Sequence, residues 1–259
     1  MRRILFLDLD DTVFQSRRKT TDVAAVPVGV GSDGAPDTLM TGRQRALFDW
    51  LTEGAQVVPT TGRSVAALRR VALPFDGWAI CSFGGVVLTP EGVPEPRWHA
   101  RAEAGAERCR DALTALVSHV EQESARLSGA GPSVTVRVRI IEDAGLPMYL
   151  SAKSPHGDAS AVARLVPGVR AACPPGWRLH WNDNNLAVLP DWLGKEHAVR
   201  WFREVLLDED VVAIGAGDSH SDAPFLGACD YALAPIGSQL WRGLLGGAAS
   251  GLAGTGAAR

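Results

Sequence analysis

Asp8-Leu9-Asp10-Asp11-Thr12 gathers three carboxylates within four positions, directly after the apolar run Ile4-Leu5-Phe6-Leu7. Carboxylates so crowded repel one another unless positive charge sits between them, and a bound cation is the economical remedy. Alone, the spacing also fits one helix cap with two acids in water. Three further stations narrow the choice. Thr61-Gly62-Arg63 offers a hydroxyl and an unhindered backbone N–H, donors of the kind that hold phosphate oxygens. Lys195 stands at the start of an expected helix, where the helix dipole disfavours a cation unless an anion is close. Asp218 and Asp222 follow the turn Gly215-Ala216-Gly217. Singly, these read as an ordinary turn, a surface lysine and a helix cap. Jointly they equip a site to move a phosphoryl group: carboxylate oxygens for magnesium, a lysine and neutral donors for the phosphate oxygens.

Such a site needs its stations delivered to one place, and the flanking pattern predicts how. Ile4 to Leu7 reads as a buried parallel strand, and Gln56-Val57-Val58-Pro59, Trp78 to Cys81, Val211 to Ile214 and Tyr231 to Ala234 read as further strands. Helices are expected from Thr41 to Glu53, after Ser64, from Lys195 to Leu206 and after Asp218. An open α/β sheet binds ligands at the carboxyl ends of its strands, where these stations fall. Gln15 to Met40 lacks a helical period and reads as a hairpin or flap placed to cover that edge.

Between the second and third stations the pattern changes. A long helix near 100–127 leads into strands at 134–141 and 148–152; a helix near 158–166 leads into strands at 177–181 and 185–189. A helix-strand-strand unit stated twice predicts an antiparallel sheet with helices on one face. The expected division is a core of residues 1–85 and 190–259 with an inserted α+β domain at 86–189. In that insert Lys153, His180 and Asn182 are candidate substrate contacts, and strict alternation puts His180 and Asn182 on one face and Trp181 on the other.

The 259 residues are 46% hydrophobic and 21% charged, as in folded globular chains. A net charge of −3 with no basic tract beyond Arg17-Arg18-Lys19 argues against a nucleic-acid partner. Asp8 interrupts the first apolar run too early for a signal peptide, and no stretch suits a membrane span. Cys81, Cys109, Cys173 and Cys229 are scattered, with neither zinc spacing nor a disulfide framework, which fits the cytoplasm. The tail Gly246–Arg259 is mostly Gly, Ala and Ser and is expected to bury little.

With these motifs the chain resembles the haloacid dehalogenase-like hydrolases, in particular the Cof-type group that includes sucrose-phosphate and mannosyl-phosphoglycerate phosphatases. The four motifs of that family match Asp8–Thr12, Thr61–Arg63, Leu193–Lys195 and Gly217–Asp222 in order. The resemblance implies a Rossmann-like parallel-sheet core with an inserted α/β cap, and a magnesium-dependent phosphatase for a small phosphorylated metabolite such as a sugar phosphate. It also implies roles: Asp8 as nucleophile forming an aspartyl-phosphate and Asp10 as proton shuttle. Thr61, Gly62 and Lys195 would hold phosphate, with Arg63 near the substrate. The magnesium ligands would be Asp8, Asp10 through its carbonyl, Asp218 and Asp222. Asp11 replaces a usual glycine and Ser221 a usual asparagine. A phosphomutase would use nearly the same residues; a dehalogenase would need neither Asp10 nor the Asp218/Asp222 pair; a non-catalytic binder would have lost a station, and all four are intact.

Overall fold

A computed structural model describes residues 2–244 apart from 76, 131, 156 and 209, and apart from the side chain of Asn182. The expected fraying of the Gly246–Arg259 tail concerns residues outside that range. The chain forms two compact units, residues 1–93 with 195–259, and residues 94–194. The crossings therefore lie a few residues beyond the expected 85/86 and 189/190. Val86–Leu88 stays with the first unit because it pairs antiparallel with Ala79–Cys81. Trp192 stays with the second because its ring packs over Gly105, whose missing Cβ leaves room for it.

The first unit opens with β1 (Arg2–Leu7), β2 (Gln15–Ser16), β3 (Val26–Val30), β4 (Pro36–Met40), α1 (Gly42–Thr52), β5 (Gln56–Pro59), α2 (Val65–Leu68), β6 (Ala79–Cys81) and β7 (Val86–Leu88). The second unit holds α3 (Pro96–Gly129), β8 (Arg137–Asp143), β9 (Leu146–Lys153), α4 (Ala159–Ala172), β10 (Arg178–Asn182) and β11 (Asn185–Leu189). The first unit then resumes with α5 (Lys195–Leu206), β12 (Val211–Ala216), α6 (Ala223–Leu226) and β13 (Tyr231–Leu233).

Four strands make the first unit's parallel sheet, in the order β13-β12-β1-β5. Ile4 to Leu7 are almost wholly buried, as a strand covered on both faces requires. Leu7 is in register with Ala216 on one side and Pro59 on the other, so β1, β5 and β12 finish level. Asp8, Thr60-Thr61 and Gly217-Asp218 consequently leave the sheet at one edge. Beneath it, α5 buries Ala198, Val199 and Phe202. Phe202 meets Phe6 edge-on at 5.5 Å between ring centroids. Lys195 shares that stripe at the i, i+3, i+4, i+7 spacing, so the packing that seats the helix also turns its first side chain inward.

Residues 15–40 form a three-stranded antiparallel sheet, β2-β4-β3. It is anchored: the Val30 N–H donates to the Arg70 carbonyl (3.1 Å) and the Ala72 N–H to the Val28 carbonyl (2.7 Å). A Cβ on Gly29 would meet the Arg70 oxygen and the Thr38 side chain at 3.2 Å, so glycine permits the close approach. The same contact explains why the helix expected after Ser64 spans only Val65–Leu68: residues 70–72 lend their backbone to the flap. By contrast α1 starts where expected, on a capping box in which the Thr41 hydroxyl accepts from the Gln44 N–H and the Gln44 side chain accepts from the Thr41 N–H.

In the second unit the sheet runs β10-β11-β9-β8, antiparallel throughout. Leu113, Leu116 and Val120 of α3 and Val162, Leu165 and Val169 of α4 pack with Leu150, Ala152, Leu186 and Val188 into one core. Both helices therefore cover a single face of the sheet. Among the described residues no helix is long and apolar enough to cross a membrane.

Candidate active site

Lys195 Nζ lies 2.6 Å from Asp8 Oδ1 and 2.6 Å from Asp222 Oδ1, although the three residues are far apart in sequence. All three are buried: Lys195 is 4% exposed, Asp8 5% and Asp222 0%. The Asp8 backbone N–H donates to the Ala216 carbonyl (2.8 Å), which fixes the residue at the end of β1. Its second carboxylate oxygen accepts from the Thr12 hydroxyl at 3.0 Å. Asp222 is satisfied from both sides. Its Oδ2 accepts from the Ser219 hydroxyl (2.7 Å) and from the N–H groups of Ser219 (2.9 Å) and Asp218 (3.2 Å). It ties the 217–222 loop together while supporting the lysine.

Asp218 completes the group: oxygens of Asp8, Asp218 and Asp222 all lie within 4.8 Å of one another. The electrostatics follow from burial and crowding. Burial, then Asp222, push the Asp8 carboxyl well above its ordinary value, against the pull of Lys195. Burial followed by Asp222 and Asp11 raises Asp218 to about 7. At Asp222 burial acts upward too, but the Lys195 ammonium and the Ser219 donors outweigh it and hold the group below the usual range. Burial opposes the charge on Lys195, and the two carboxylates more than compensate, holding it above the ordinary lysine value. Three carboxylates against one ammonium leave negative charge that a second cation would neutralise. A hard oxygen set of this kind suits a hard divalent cation. Asp8 and Asp218 have acceptor capacity for it, whereas Asp222 already accepts four hydrogen bonds.

The second motif lies at the same edge. The Thr61 N–H donates to the Ile80 carbonyl (2.9 Å), continuing the sheet toward β6. Its hydroxyl accepts from the Arg63 N–H at 3.1 Å, leaving its own proton to donate elsewhere. At Gly62 the structure supplies a reason for glycine beyond an open N–H: a Cβ there would stand 2.6 Å from the Phe83 ring. Phe83 and Ser82 were not singled out from the sequence. Both have left-handed backbones, φ 55 and φ 49. The Ser82 N–H donates to the Arg63 carbonyl (2.8 Å) and the Phe83 N–H to that of Thr61 (3.0 Å), which clamps the turn. Strain of this kind in non-glycine residues costs about 1–3 kcal/mol each and persists where the surroundings over-determine it. Nothing in the sequence around Ser82-Phe83-Gly84-Gly85 beyond the paired glycines signals it.

Arg63 does not point outward. Its Nε and Nη2 donate to the two oxygens of Asp10 at 2.8 and 2.7 Å, and Nη2 also reaches the Thr38 hydroxyl at 3.2 Å. Asp11 has φ 63, a left-handed conformation that explains why glycine is the usual residue there. Asp is among the side chains that tolerate it, and here it is paired with Lys19.

The remaining candidates lie in the second unit. Row by row, Arg139 pairs with Ser151, Ser151 with Ala187 and Ala187 with His180, while Arg137 pairs with Lys153 and Lys153 with Asn185. Leu150, Ala152, Leu186 and Val188 occupy the helix-covered face, so these rows belong to the other one. Lys153 and His180 thus share a face with Arg137 and Arg139, two cations that sequence reading passed over. Asn182 ends β10 opposite Asn185; its side chain lies outside the described residues. Trp181 is 43% exposed, with its indole N–H donating to the Asp183 carbonyl at 3.0 Å.

No protein-family model and no curated protein matches the sequence. Solved structures do. A sucrose-phosphatase from Synechocystis, in complex with sucrose and phosphate, is 16% identical over 96% of this chain and 98% of that one, with a TM-score of 0.53. The C-terminal domain of a C. albicans trehalose-6-phosphate phosphatase is 13% identical over 88% of this chain and 73% of that one, TM-score 0.51. An N-terminally truncated Plasmodium falciparum IMP-nucleotidase is 10% identical over 90% of this chain and 66% of that one, TM-score 0.51. Those three names carry three different substrates, so the fold does not select among them. It does settle the architecture: over nearly its whole length this chain has the fold of the sucrose-phosphatase and of the trehalose-6-phosphate phosphatase domain.

Proposed function

We propose that the protein is a magnesium-dependent phosphatase that hydrolyses a small phosphate monoester through an aspartyl-phosphate on Asp8. The observation that carries the reading is the placement of Lys195 between Asp8 and Asp222, with Asp218 alongside, at the edge where β1, β5 and β12 end level. In the first step an Asp8 oxygen bonds to phosphorus as the bond from phosphorus to the leaving oxygen breaks, and Asp10 gives that oxygen a proton. In the second, Asp10 takes a proton from water while the water oxygen bonds to phosphorus. The bond to Asp8 then breaks, releasing inorganic phosphate and regenerating the carboxylate. Lys195, the Thr61 hydroxyl and the Gly62 N–H hold the phosphoryl oxygens. Asp8, Asp218 and the Asp10 carbonyl would hold magnesium, which would neutralise phosphate charge; Asp222 contributes chiefly by fixing Lys195 and the 217–222 loop.

Substrate selection falls to the polar face of the second sheet, where Lys153 and His180 stand with Arg137 and Arg139; Asn182 is assigned to the same role. The sugar-phosphate substrates named for the sucrose- and trehalose-phosphate enzymes make such monoesters the first compounds to try. The test is phosphate release from a panel of phosphate monoesters with magnesium or with chelator. The parent should release free phosphate only with the metal, and Asp8→Asn should release none. Full turnover by pure Asp8→Asn protein would end the nucleophile assignment, and full activity in chelator the metal assignment.

A further inference from the structure

Asp10 is only partly buried, with 48% of its side chain exposed, yet neither carboxylate oxygen is left to solvent alone. Each accepts from a different nitrogen of Arg63, at 2.7 and 2.8 Å, in the planar two-point geometry that only a guanidinium provides. The arginine is held at every level. Its backbone N–H is tied to Thr61 and its carbonyl to Ser82. Its guanidinium carbon lies 5.0 Å from the centroid of the buried Phe14 ring, and Nη2 is also bound by Thr38, which is 1% exposed. Thr38 belongs to β4, and the flap sheet that carries it is bonded to residues 70–72. A half-exposed aspartate is thus referenced to two fixed parts of the first unit.

We propose that Arg63 is a positioning residue that acts through Asp10, holding its carboxylate in one orientation with Thr38 as the backstop. The inference rests on the reading of Asp10 as the proton-transfer group. The geometry favours it over direct phosphoryl binding because the two nitrogens that form the fork face Asp10. It also gives the flap a part in the reaction: β4 supplies the hydroxyl that helps to fix the guanidinium against which Asp10 is held.

The experiment uses 4-nitrophenyl phosphate, whose leaving group departs without a proton, so that Asp10 is required only for hydrolysis of the aspartyl-phosphate. Arg63→Met should lower steady-state kcat by roughly 10- to 100-fold, the scale on which misorientation of a reacting group acts. KM should not rise, and a burst of about one 4-nitrophenolate per active site should precede the slow phase. Arg63→Lys, which keeps the charge and loses the fork, should not restore kcat. Thr38→Val should show a weaker burst phenotype of the same kind. In the Asp10→Asn background Arg63→Met should leave the residual steady-state rate unchanged, because the group it acts through is gone. Three results would overturn the proposal: loss of the burst with a slowed first step, which would make Arg63 a phosphoryl ligand; a further fall in the steady-state rate when Arg63→Met is added to Asp10→Asn; or full rescue by lysine. Normal steady-state turnover by Asp10→Asn alone would instead strike at the role of Asp10 and is read separately.

Discussion

Replacing Lys195 by methionine tests the electrostatic core of the site. Methionine keeps the apolar stem and removes the only cation that contacts both Asp8 and Asp222 in the described site, leaving two buried carboxylates and Asp218 within 4.8 Å of one another. Two unit charges 4 Å apart interact by about 4 kcal/mol at the effective dielectric constant of about 20 that suits such sites. Removing one partner of a buried pair typically costs about 3–5 kcal/mol. For a chain of this size that is a fall in Tm of roughly 6–20 °C. The deficit has a sign in pH. Without the ammonium the Asp8 carboxyl rises further above its unfolded value and Asp222 loses the charge that held it low, so the variant keeps its stability at low pH and loses it as pH rises through the folded Asp8 value. The gap between variant and parent should therefore be widest near pH 7.5 and narrow toward pH 5, and magnesium should close part of it at pH 7.5. Calorimetry in chelator and in magnesium at both pH values measures this. A variant as stable as its parent at pH 7.5, or a deficit that grows on acidification, would refute the account.

Three further outcomes are expected. In chelator, the parent should lose stability between about pH 4 and pH 7, because Asp218 is raised from 3.8 to about 7 and its contribution is lost as pH climbs through that value; Asp218→Asn should flatten this slope and abolish magnesium binding by calorimetric titration. Gly62→Ala should drive a methyl into the Phe83 ring and cost about 1–3 kcal/mol by denaturant titration, the usual range for overpacking, with phosphate release falling as well; an unchanged midpoint would show that Phe83 yields freely. Alanine at Lys153 or His180 should weaken turnover of the best natural substrate while sparing a small aryl phosphate, since remote groups assist only substrates that reach them; equal loss on both would remove these residues from selection.

Strand ends and motif order were readable from the sequence because they depend on local pattern. Gln56–Pro59 and Asn185–Leu189 fall where their apolar runs predict, and Thr41 caps α1 through a hydrogen bond only three residues long. The burial of Lys195 was half readable: its helix-start position hinted at an anion, and its place on the Ala198-Val199-Phe202 stripe turned the hint into geometry. What stayed hidden depends on contacts distant in sequence. Arg63 and Asp10 are 53 residues apart, and Thr38 comes from a segment whose sheet is bonded to residues 70–72. The left-handed Ser82-Phe83 pair was equally invisible, because its cost is met by the turn it clamps and not by any propensity of its own.

The two crossings between the units bear on how this chain can be rebuilt. Residue 94 leaves the first unit just ahead of α3, and Lys195 is the first residue after the return. The excursion between them is one contiguous segment whose ends both run into helix starts. Grafting a different insert between 93 and 195 would leave every hydrogen bond among Asp8, Asp10, Arg63, Asp222 and Lys195 within retained sequence. The exacting join is the second one, where a shift in helical phase of a single residue would rotate Lys195 by about 100° away from its two carboxylates.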